Sequence, residues 1–183
     1  MIFKELSVIF PIYNEQETIK ETLLEWRDTL DKLQINYEII LAEDGSKDNT
    51  KDILKDLLIN NRDLFVSNIE DKKRGYANAI RSSVKIAKGK YILNVDSDGQ
   101  CDPKDFINFW KKRDLLENGI IIGHRYNRKD SLQRLLMSKF FLILHRILFF
   151  SKVMDPSCPY VLSKNEFFVT INSYLKFMVE GFW

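Results

Sequence analysis

The sequence predicts an α/β domain whose open, mostly parallel sheet carries helices on both faces. Short, nearly continuous apolar runs alternate along the chain with amphipathic stretches of helical period. Such runs are typical of parallel strands, because both faces of a parallel sheet are buried and each crossover requires a helix. Polar clusters directly follow three of the apolar runs, where ligand-binding loops lie in sheets of this kind.

Five apolar runs are predicted to be strands, with helical stretches between them. The predicted strands are residues 6–12 (LSVIFPI), 37–42 (YEIILA), 64–69, 91–95 (YILNV) and 119–123 (GIIIG). The predicted helices are residues 19–33, 48–60, 76–87 and 103–116. Asp102 is expected to cap the helix that Pro103 opens. Gly89 is expected to end the helix before it, and Ser46 or Asp48 to cap the helix at residue 48.

The composition is that of one globular domain over residues 1–183. Apolar residues make up 45% of the chain, charged residues 30%, and the net charge is +2. This charge gives no indication of a nucleic-acid partner, and none is expected. The two cysteines form neither a metal-ligand motif nor a disulfide framework, and no signal peptide is apparent, which fits a cytoplasmic setting. The chain ends on EGFW, so we expect the domain to be truncated from a longer protein.

Two aspartates form the strongest chemical signal in the sequence. Asp96 and Asp98 follow the predicted strand 91–95 with one residue between them. Two carboxylates this close repel each other unless a cation lies between them or one is protonated. Mg²⁺ prefers oxygen ligands, often one or two carboxylates plus substrate phosphates, and Gln100 adds a neutral oxygen. The alternative is an acidic turn without a ligand.

Two further segments at the same predicted edge suit a nucleotide. Asp44 follows the second strand, where its carboxylate can accept hydrogen bonds from a nucleobase or ribose; the alternative is a turn alone. Arg74 precedes a predicted helix, whose N-terminus favours anions, so it is a candidate for neutralising a diphosphate. The alternative there is a solvated charge run over residues 71–74.

Several other site classes find no support in the sequence. There is no Gly-x-Gly-x-x-Gly motif and no phosphate-binding Gly-Lys-Ser/Thr loop, which argues against dinucleotide oxidoreductases and P-loop enzymes. His124 and His145 are not spaced as zinc ligands with either cysteine. No Ser-His-Asp or Cys-His arrangement suggests a nucleophilic enzyme.

Four motifs in order resemble the family 2 glycosyltransferases of the GT-A fold. They are residues 8–15 (VIFPIYNE), 43–48 (EDGSKD), 74–79 (RGYANA) and 96–100 (DSDGQ), and they cover about the first two thirds of the chain. Gln100, residues 123–125 (GHR) and residues 155–158 (DPSC) look most like the polyprenyl-phosphate sugar transferases, the dolichol-phosphate mannose synthase type.

The resemblance implies a role for each matching residue. It places Pro11, Tyr13, Glu15 and Asp44 around the nucleoside, and Arg74 belongs to the same nucleotide-sugar site, beside the diphosphate. It makes Asp96 and Asp98 the catalytic carboxylates, Asp96 near the ribose and diphosphate, and has them hold Mg²⁺ or Mn²⁺ with Gln100. It directs Arg125 and Arg128 toward phosphates of the donor or acceptor. Two departures are Glu43, where the family usually has Asp, and Cys158-Pro159, where it often has a Gly-Phe-Arg run.

The implied reaction is inverting transfer of a sugar from a nucleoside-diphosphate sugar to a lipid phosphate. A phosphate acceptor is ionised at neutral pH and needs no side-chain base, whereas a sugar hydroxyl acceptor needs one. The alternatives are therefore a glycosyltransferase acting on a sugar hydroxyl and a catalytically inactive GT-A binding module. A receiver-like or flavodoxin-like domain also has acidic strand ends, but it leaves Gln100 and the segment 11–15 unexplained.

Residues 132–152 (LQRLLMSKFFLILHRILFFSK) are predicted to form a helix with an apolar, Phe-rich face and a basic face that includes Arg134, Lys139 and Arg146. The apolar stretch is too short to span a bilayer and is interrupted by basic residues. Its makeup is that of a helix lying in an anionic membrane interface, beside a lipid-phosphate acceptor. The expected location is therefore the inner face of the membrane, with peripheral contact; the alternative is a core-packing helix.

Overall fold

The computed structural model describes residues 4–61, 63–116, 119–125 and 131–174, and side chains as far as residue 172. The strands are β1 (Lys4–Ile12), β2 (Tyr37–Asp44), β3 (Phe65–Glu70), β4 (Gly89–Asn94), β5 (Ile120–Ile122) and β6 (Val161–Lys164). The helices are α1 (Ile19–Lys32), α2 (Thr50–Asn60), α3 (Tyr76–Ile86), α4 (Phe106–Lys111), α5 (Leu132–Phe149) and α6 (Asn165–Tyr174).

The sheet has the order β3-β2-β1-β4-β6-β5. Strands β1 to β4 are mutually parallel, which confirms the predicted fold class. Strand β6 was not predicted; it lies antiparallel between β4 and β5. Because β1 lies at the centre with β2 and β4 beside it, the carboxyl ends of these three strands meet at one edge of the sheet.

Both faces of the sheet are covered. On one face α1 buries Trp26, whose ring lies 5.7 Å from Phe10 and 5.9 Å from Tyr160 between ring centroids. On the other face α3 packs Ala79, Ile80 and Val84 against alternate strand residues, namely Ile9, Ile40, Ala42 and Ile92. This alternation follows from the period of two along a strand, which sends neighbouring side chains to opposite faces.

The predicted helix 103–116 is wrong in its extent. A 3₁₀ turn (Pro103–Asp105), α4 and a second 3₁₀ turn (Arg113–Leu115) replace it. The apolar periodicity breaks after Trp110, because residues 111–114 (KKRD) are all charged. The cap prediction is confirmed: the Asp102 carboxylate accepts a hydrogen bond from the Lys104 N–H at 2.9 Å.

Of two other predictions about helix ends, the one for Gly89 is wrong, and the one for the start of α2 is confirmed for Asp48 but not for Ser46. Gly89 does not end α3, which stops at Ile86; it opens β4, where a Cβ would lie 2.4 Å from the backbone nitrogen of Ser7. Helix α2 begins at Thr50 with Asn49 as its N-cap residue. Asp48 accepts from the Thr50 N–H at 3.0 Å, whereas Ser46 bonds to another loop, described below.

Candidate functional site

A cleft of about 390 Å³ opens at the carboxyl edge of the parallel strands. The ends of β1, β2 and β4 and the start of α3 form its walls. Its lining residues are Pro11, Ile12, Tyr13, Glu15, Asp44, Lys73, Gly75, Tyr76, Ala79, Asp96, Ser97 and Asp98. The volume lies in the range of small-molecule sites, and four of the lining side chains are carboxylates, namely Glu15, Asp44, Asp96 and Asp98.

The structure brings most of the predicted site residues together in this cleft. Pro11, Tyr13, Glu15, Asp44, Asp96 and Asp98 all line it. Arg74, Gln100 and Arg125 are not among the lining residues. Arg128 lies outside the described residues, and Arg134, Lys139 and Arg146 lie on α5.

The loop after β1 is fastened to the loop after β2 by reciprocal hydrogen bonds. The Asn14 N–H donates to the Ser46 hydroxyl at 2.9 Å, and the Asn14 side-chain oxygen accepts from the Lys47 N–H at 2.8 Å. The Glu15 N–H donates to the Thr50 hydroxyl at 2.9 Å. Asn14 has a φ of 57°, a left-handed conformation that asparagine tolerates better than most residues. These bonds hold the backbone that presents Tyr13 and Glu15 to the cleft.

Asp44 holds the segment before α3 against the end of β2. Its carboxylate is 3% exposed and accepts from the Arg74 N–H at 2.7 Å and from the Gly75 N–H at 2.9 Å. Gly45 has a φ of 75°, and a Cβ there would lie 2.4 Å from the Lys73 nitrogen. The backbone of residues 72–75 can therefore approach β2 only because residue 45 has no side chain.

Glu43, the departure from the usual Asp, is fully buried and does not line the cleft. Its carboxylate accepts from the Ser46 N–H, and Lys51 lies 3.7 Å away. The longer side chain thus reaches beneath the turn that follows β2. Its contacts in this structure are with the turn and with α2.

Of the basic residues before α3, Arg74 was predicted to face the cleft, but Lys73 does so. The Arg74 guanidinium pairs with Glu70 at 2.5 Å. Lys73 lines the cleft instead, and its Nζ lies 3.9 Å from the centroid of the Tyr13 ring. The sequence analysis missed Lys73; the only signal was its position in the charged run two residues before Gly75.

Asp96 and Asp98 lie in the same wall of the cleft. Burial raises the pKa of Asp96, and the negative charges of Asp98 and Glu15 raise it further; the hydrogen bond from Tyr76 and the charge of Arg125 act in the opposite direction. A divalent cation relieves such repulsion, so the donor set suits Mg²⁺ or Mn²⁺. Within the described residues no cluster of three or more His, Cys, Asp or Glu side chains surrounds a cation position.

Gln100, the third predicted ligand, is exposed. Its backbone N–H donates to the Asp98 carboxylate at 3.0 Å. Gly99, between them, has a φ of 76°, so the chain turns sharply after Asp98. The observed contribution of residue 100 is therefore to orient Asp98 through its backbone.

Arg125 joins the end of β5 to the segment before β6. Its guanidinium donates to both carboxylate oxygens of Asp155, at 2.8 and 2.9 Å, and to the Ser157 hydroxyl at 2.6 Å. Burial raises the pKa of Asp155, but the bonds and charge of Arg125 outweigh this and lower it to about 2. The Arg125 charge still acts on Asp96, so it lies near the cleft without lining it.

Helix α5 is the least covered element of the described chain. None of its residues is buried, and the exposed fraction reaches 71% for Met137, 66% for Phe140 and 65% for Ile147. Arg134, Lys139 and Arg146 are exposed as well. Within the described residues α5 is therefore not a core-packing helix.

No helix among residues 4–61, 63–116, 119–125 and 131–174 is both long enough and apolar enough to cross a bilayer.

Comparison with known proteins identifies the family of this chain. The family model for glycosyl transferase family 2 matches residues 7–170. A curated relative is the undecaprenyl-phosphate 4-deoxy-4-formamido-L-arabinose transferase of Pseudomonas fluorescens (strain SBW25). It is 30% identical over 126 residues, which are 69% of this chain and 37% of that protein.

Two solved structures resemble the fold at low sequence identity. Glucosyl-3-phosphoglycerate synthase from Mycobacterium tuberculosis, crystallised with Mn²⁺ and UDP-glucose, matches with a TM-score of 0.58 and 20% identity, over 89% of this chain and 57% of that one. Mannosyl-3-phosphoglycerate synthase from Rubrobacter xylanophilus matches with a TM-score of 0.67 and 14% identity, over 89% of this chain and 54% of that one. This chain thus spans little more than half the length of either structure and about a third of the curated relative. From the family match and the shared architecture, the chain belongs to glycosyl transferase family 2 and has the GT-A fold.

Proposed function

We propose that this chain is the catalytic domain of a glycosyltransferase that moves a sugar from a nucleoside-diphosphate sugar to a polyprenyl phosphate at a membrane surface. The observation that carries the proposal is the cleft in which Asp96 and Asp98 stand beside the wall formed by Tyr13, Glu15 and Asp44. One part of the cleft suits a nucleoside and the other suits a diphosphate with its cation.

The nucleoside is proposed to lie between the β1 loop and the start of α3. The Tyr13 ring offers an apolar surface there, and Lys73 and the N-terminus of α3 offer positive charge. The two fastened loops keep this wall in place before the donor arrives, which reduces the entropy lost on binding. The mycobacterial neighbour was crystallised with UDP-glucose, which supports a nucleotide-sugar donor.

Asp96 and Asp98 are proposed to hold Mg²⁺ or Mn²⁺ together with the donor diphosphate. When bound, the ion supplies Lewis acidity that stabilises the diphosphate as it leaves. The Gln100 N–H donates to the Asp98 carboxylate, which supports an orientation that is set before the donor binds. The neighbour crystallised with Mn²⁺ supports the use of a divalent ion.

The reaction is proposed to invert the anomeric carbon. An acceptor phosphate oxygen attacks that carbon from the face opposite the diphosphate; the new C–O bond forms as the bond to the diphosphate breaks. Because the acceptor phosphate is already ionised, no side chain has to remove a proton. Arg125 and Arg128 are the candidates for orienting the acceptor phosphate, and Arg125 would do so from its position against Asp155.

The exposed α5 supports an acceptor in the membrane. Its apolar side chains suit the headgroup–acyl boundary, and Arg134, Lys139 and Arg146 suit anionic headgroups. The curated relative carries undecaprenyl phosphate in its name, which supports a lipid-phosphate acceptor. The proposed location is therefore the cytoplasmic face of the membrane, with peripheral contact.

A transfer assay tests the proposal. The protein is incubated with Mn²⁺, vesicles containing undecaprenyl phosphate and, one at a time, labelled UDP-, GDP- and CMP-sugars. We expect label to enter the lipid from one nucleoside-diphosphate sugar. Transfer only to sugar hydroxyl acceptors would support the polysaccharide alternative. Nucleotide binding with neither transfer nor donor hydrolysis would support an inactive binding module.

Liposome co-sedimentation tests the role of α5. Binding to anionic vesicles should weaken with salt and with the triple change of Arg134, Lys139 and Arg146 to Glu, while donor hydrolysis persists. The matched control changes three exposed lysines on other elements to Glu, namely Lys20, Lys32 and Lys112. Equal binding by both triple variants would contradict the assignment of α5 to the membrane.

A further inference from the structure

A buried polar chain connects Asp96 to the segment that follows α5. The Tyr76 hydroxyl lies 3.1 Å from the Asp96 carboxylate and 3.3 Å from the Asn94 side-chain nitrogen. The same nitrogen lies 3.1 Å from the Pro159 carbonyl oxygen. Tyr76 lies at the start of α3, Asn94 at the end of β4, Asp96 just beyond β4 and Pro159 in the loop before β6.

The chemistry of the four groups fixes the direction of these hydrogen bonds. A carbonyl oxygen only accepts, so the Asn94 group that faces Pro159 must be the amide NH₂. The second N–H of that group points to the Tyr76 oxygen and fills one of its lone pairs. The Tyr76 proton is then available to the Asp96 carboxylate, which accepts it. Tyr76 therefore donates to Asp96, which as a carboxylate only accepts, and the Asn94 amide bonds the remaining side of the Tyr76 oxygen.

This arrangement is retained at a cost. Asn94 is 4% exposed, and its side-chain oxygen has no hydrogen-bond partner among the described residues. A buried acceptor without a partner destabilises a fold, because it loses its hydrogen bond to water and gains none in return. An apolar residue would avoid this cost if packing were the only demand at position 94. The amide is therefore explained by the two bonds of its nitrogen, one to the Pro159 carbonyl and one to the Tyr76 oxygen.

We propose that Tyr76 is a positioning residue that holds one carboxylate oxygen of Asp96, so that the other is left for the divalent cation of a bound nucleoside diphosphate. The inference rests on the proposed function, since it assumes that Asp96 meets a cation. Side chains that orient a metal ligand through a hydrogen bond change metal affinity by about 10–100-fold when they are removed. The phenol contributes no atom to the reaction.

The test compares two tyrosine-to-phenylalanine variants. Tyr76→Phe removes the hydroxyl that faces Asp96. Tyr37→Phe is the matched control, because Tyr37 is also buried and its hydroxyl donates to the Asp31 carboxylate at 2.8 Å. Tyr37 is the first residue of β2 and therefore lies at the opposite end of the strands from the cleft. Isothermal titration with UDP at a series of Mn²⁺ concentrations gives the Mn²⁺ concentration for half-maximal enhancement of binding. Electron paramagnetic resonance of free Mn²⁺ measures the metal affinity directly.

We expect Tyr76→Phe to raise that Mn²⁺ concentration about 10-fold or more and Tyr37→Phe to leave it within about 2-fold of wild type. UDP binding without metal should change little in either variant. Asn94→Thr, which removes the amide that bonds the Tyr76 oxygen, should shift the Mn²⁺ requirement in the same direction. A Mn²⁺ requirement in Tyr76→Phe and Asn94→Thr equal to that of wild type would overturn the inference and leave the proposed function intact. If wild type itself shows no Mn²⁺ enhancement, the proposed metal site and this inference both fail.

Discussion

Replacing Asp44 by Asn tests whether its carboxylate holds the wall of the cleft. The two carboxylate oxygens accept from two consecutive backbone N–H groups, Arg74 at 2.7 Å and Gly75 at 2.9 Å, and the side chain is 3% exposed. Asparagine keeps one acceptor oxygen, and its NH₂ group faces an N–H that then has no acceptor. One buried N–H without a partner costs about 1–3 kcal/mol. The other bond loses its charge assistance, which is worth about 1 kcal/mol.

The sum is a loss of about 2–4 kcal/mol in the free energy of unfolding, measured by urea denaturation. Asp52→Asn is the matched control, because Asp52 is an exposed carboxylate that pairs with Lys55 at 2.8 Å. Its loss should stay below about 1 kcal/mol. Once a donor is known, Asp44→Asn should raise the KM for it more than it lowers kcat, since the wall binds ground and transition states alike. A free energy of unfolding within about 0.5 kcal/mol of wild type would refute this account of Asp44.

Two further predictions concern the scaffold. Gly89→Ala should lower the free energy of unfolding by about 1–3 kcal/mol, because its Cβ would lie 2.4 Å from the Ser7 nitrogen. Gly119→Ala is the control, since a Cβ there would have nothing within 4 Å, and its effect should be much smaller. Equal losses for the two variants in urea denaturation would contradict the packing at β4. Asp155 has a folded pKa of about 2, below the ordinary value of about 3.9. Its ionised carboxylate therefore stabilises the folded state fully above the unfolded pKa, and this stabilisation is lost as pH falls through the folded pKa. Between pH 5 and pH 3 the free energy of unfolding of wild type, measured by urea denaturation, should therefore fall by about 1 kcal/mol more than that of Asp155→Asn. If the two proteins lose the same free energy over this range, the pair with Arg125 does not form in solution.

The strands and most of the cleft could be predicted from the sequence because their signals are local. Each parallel strand is an apolar run, and the acidic residues that follow β2 and β4 must meet wherever those strands lie beside β1. This is why Asp44, Asp96 and Asp98 were correctly placed at one edge. The strand order, in which β2 and β4 both lie beside β1, brings these three residues together.

The features that were missed depend on contacts distant in sequence. Strand β6 has four residues, too few for a period, and pairs with β4 about 70 residues earlier. The choice between Lys73 and Arg74 depends on Glu70 drawing the arginine away. The contact of the Tyr76 hydroxyl with Asp96, 20 residues later, could not be predicted, because nothing in the local sequence indicates it.

Asp98 is proposed to be the foundation of the divalent-cation and nucleoside-diphosphate site. Isothermal titration of UDP and GDP, with and without Mn²⁺, tests it on wild type, on Asp98→Asn and on Asp56→Asn, an exposed carboxylate of α2. We expect Mn²⁺ to strengthen nucleotide binding to wild type and to Asp56→Asn. We expect Asp98→Asn to lose the Mn²⁺ effect and all transfer activity while its urea midpoint stays unchanged. If Asp98→Asn keeps the wild-type response to Mn²⁺, Asp98 does not hold the cation.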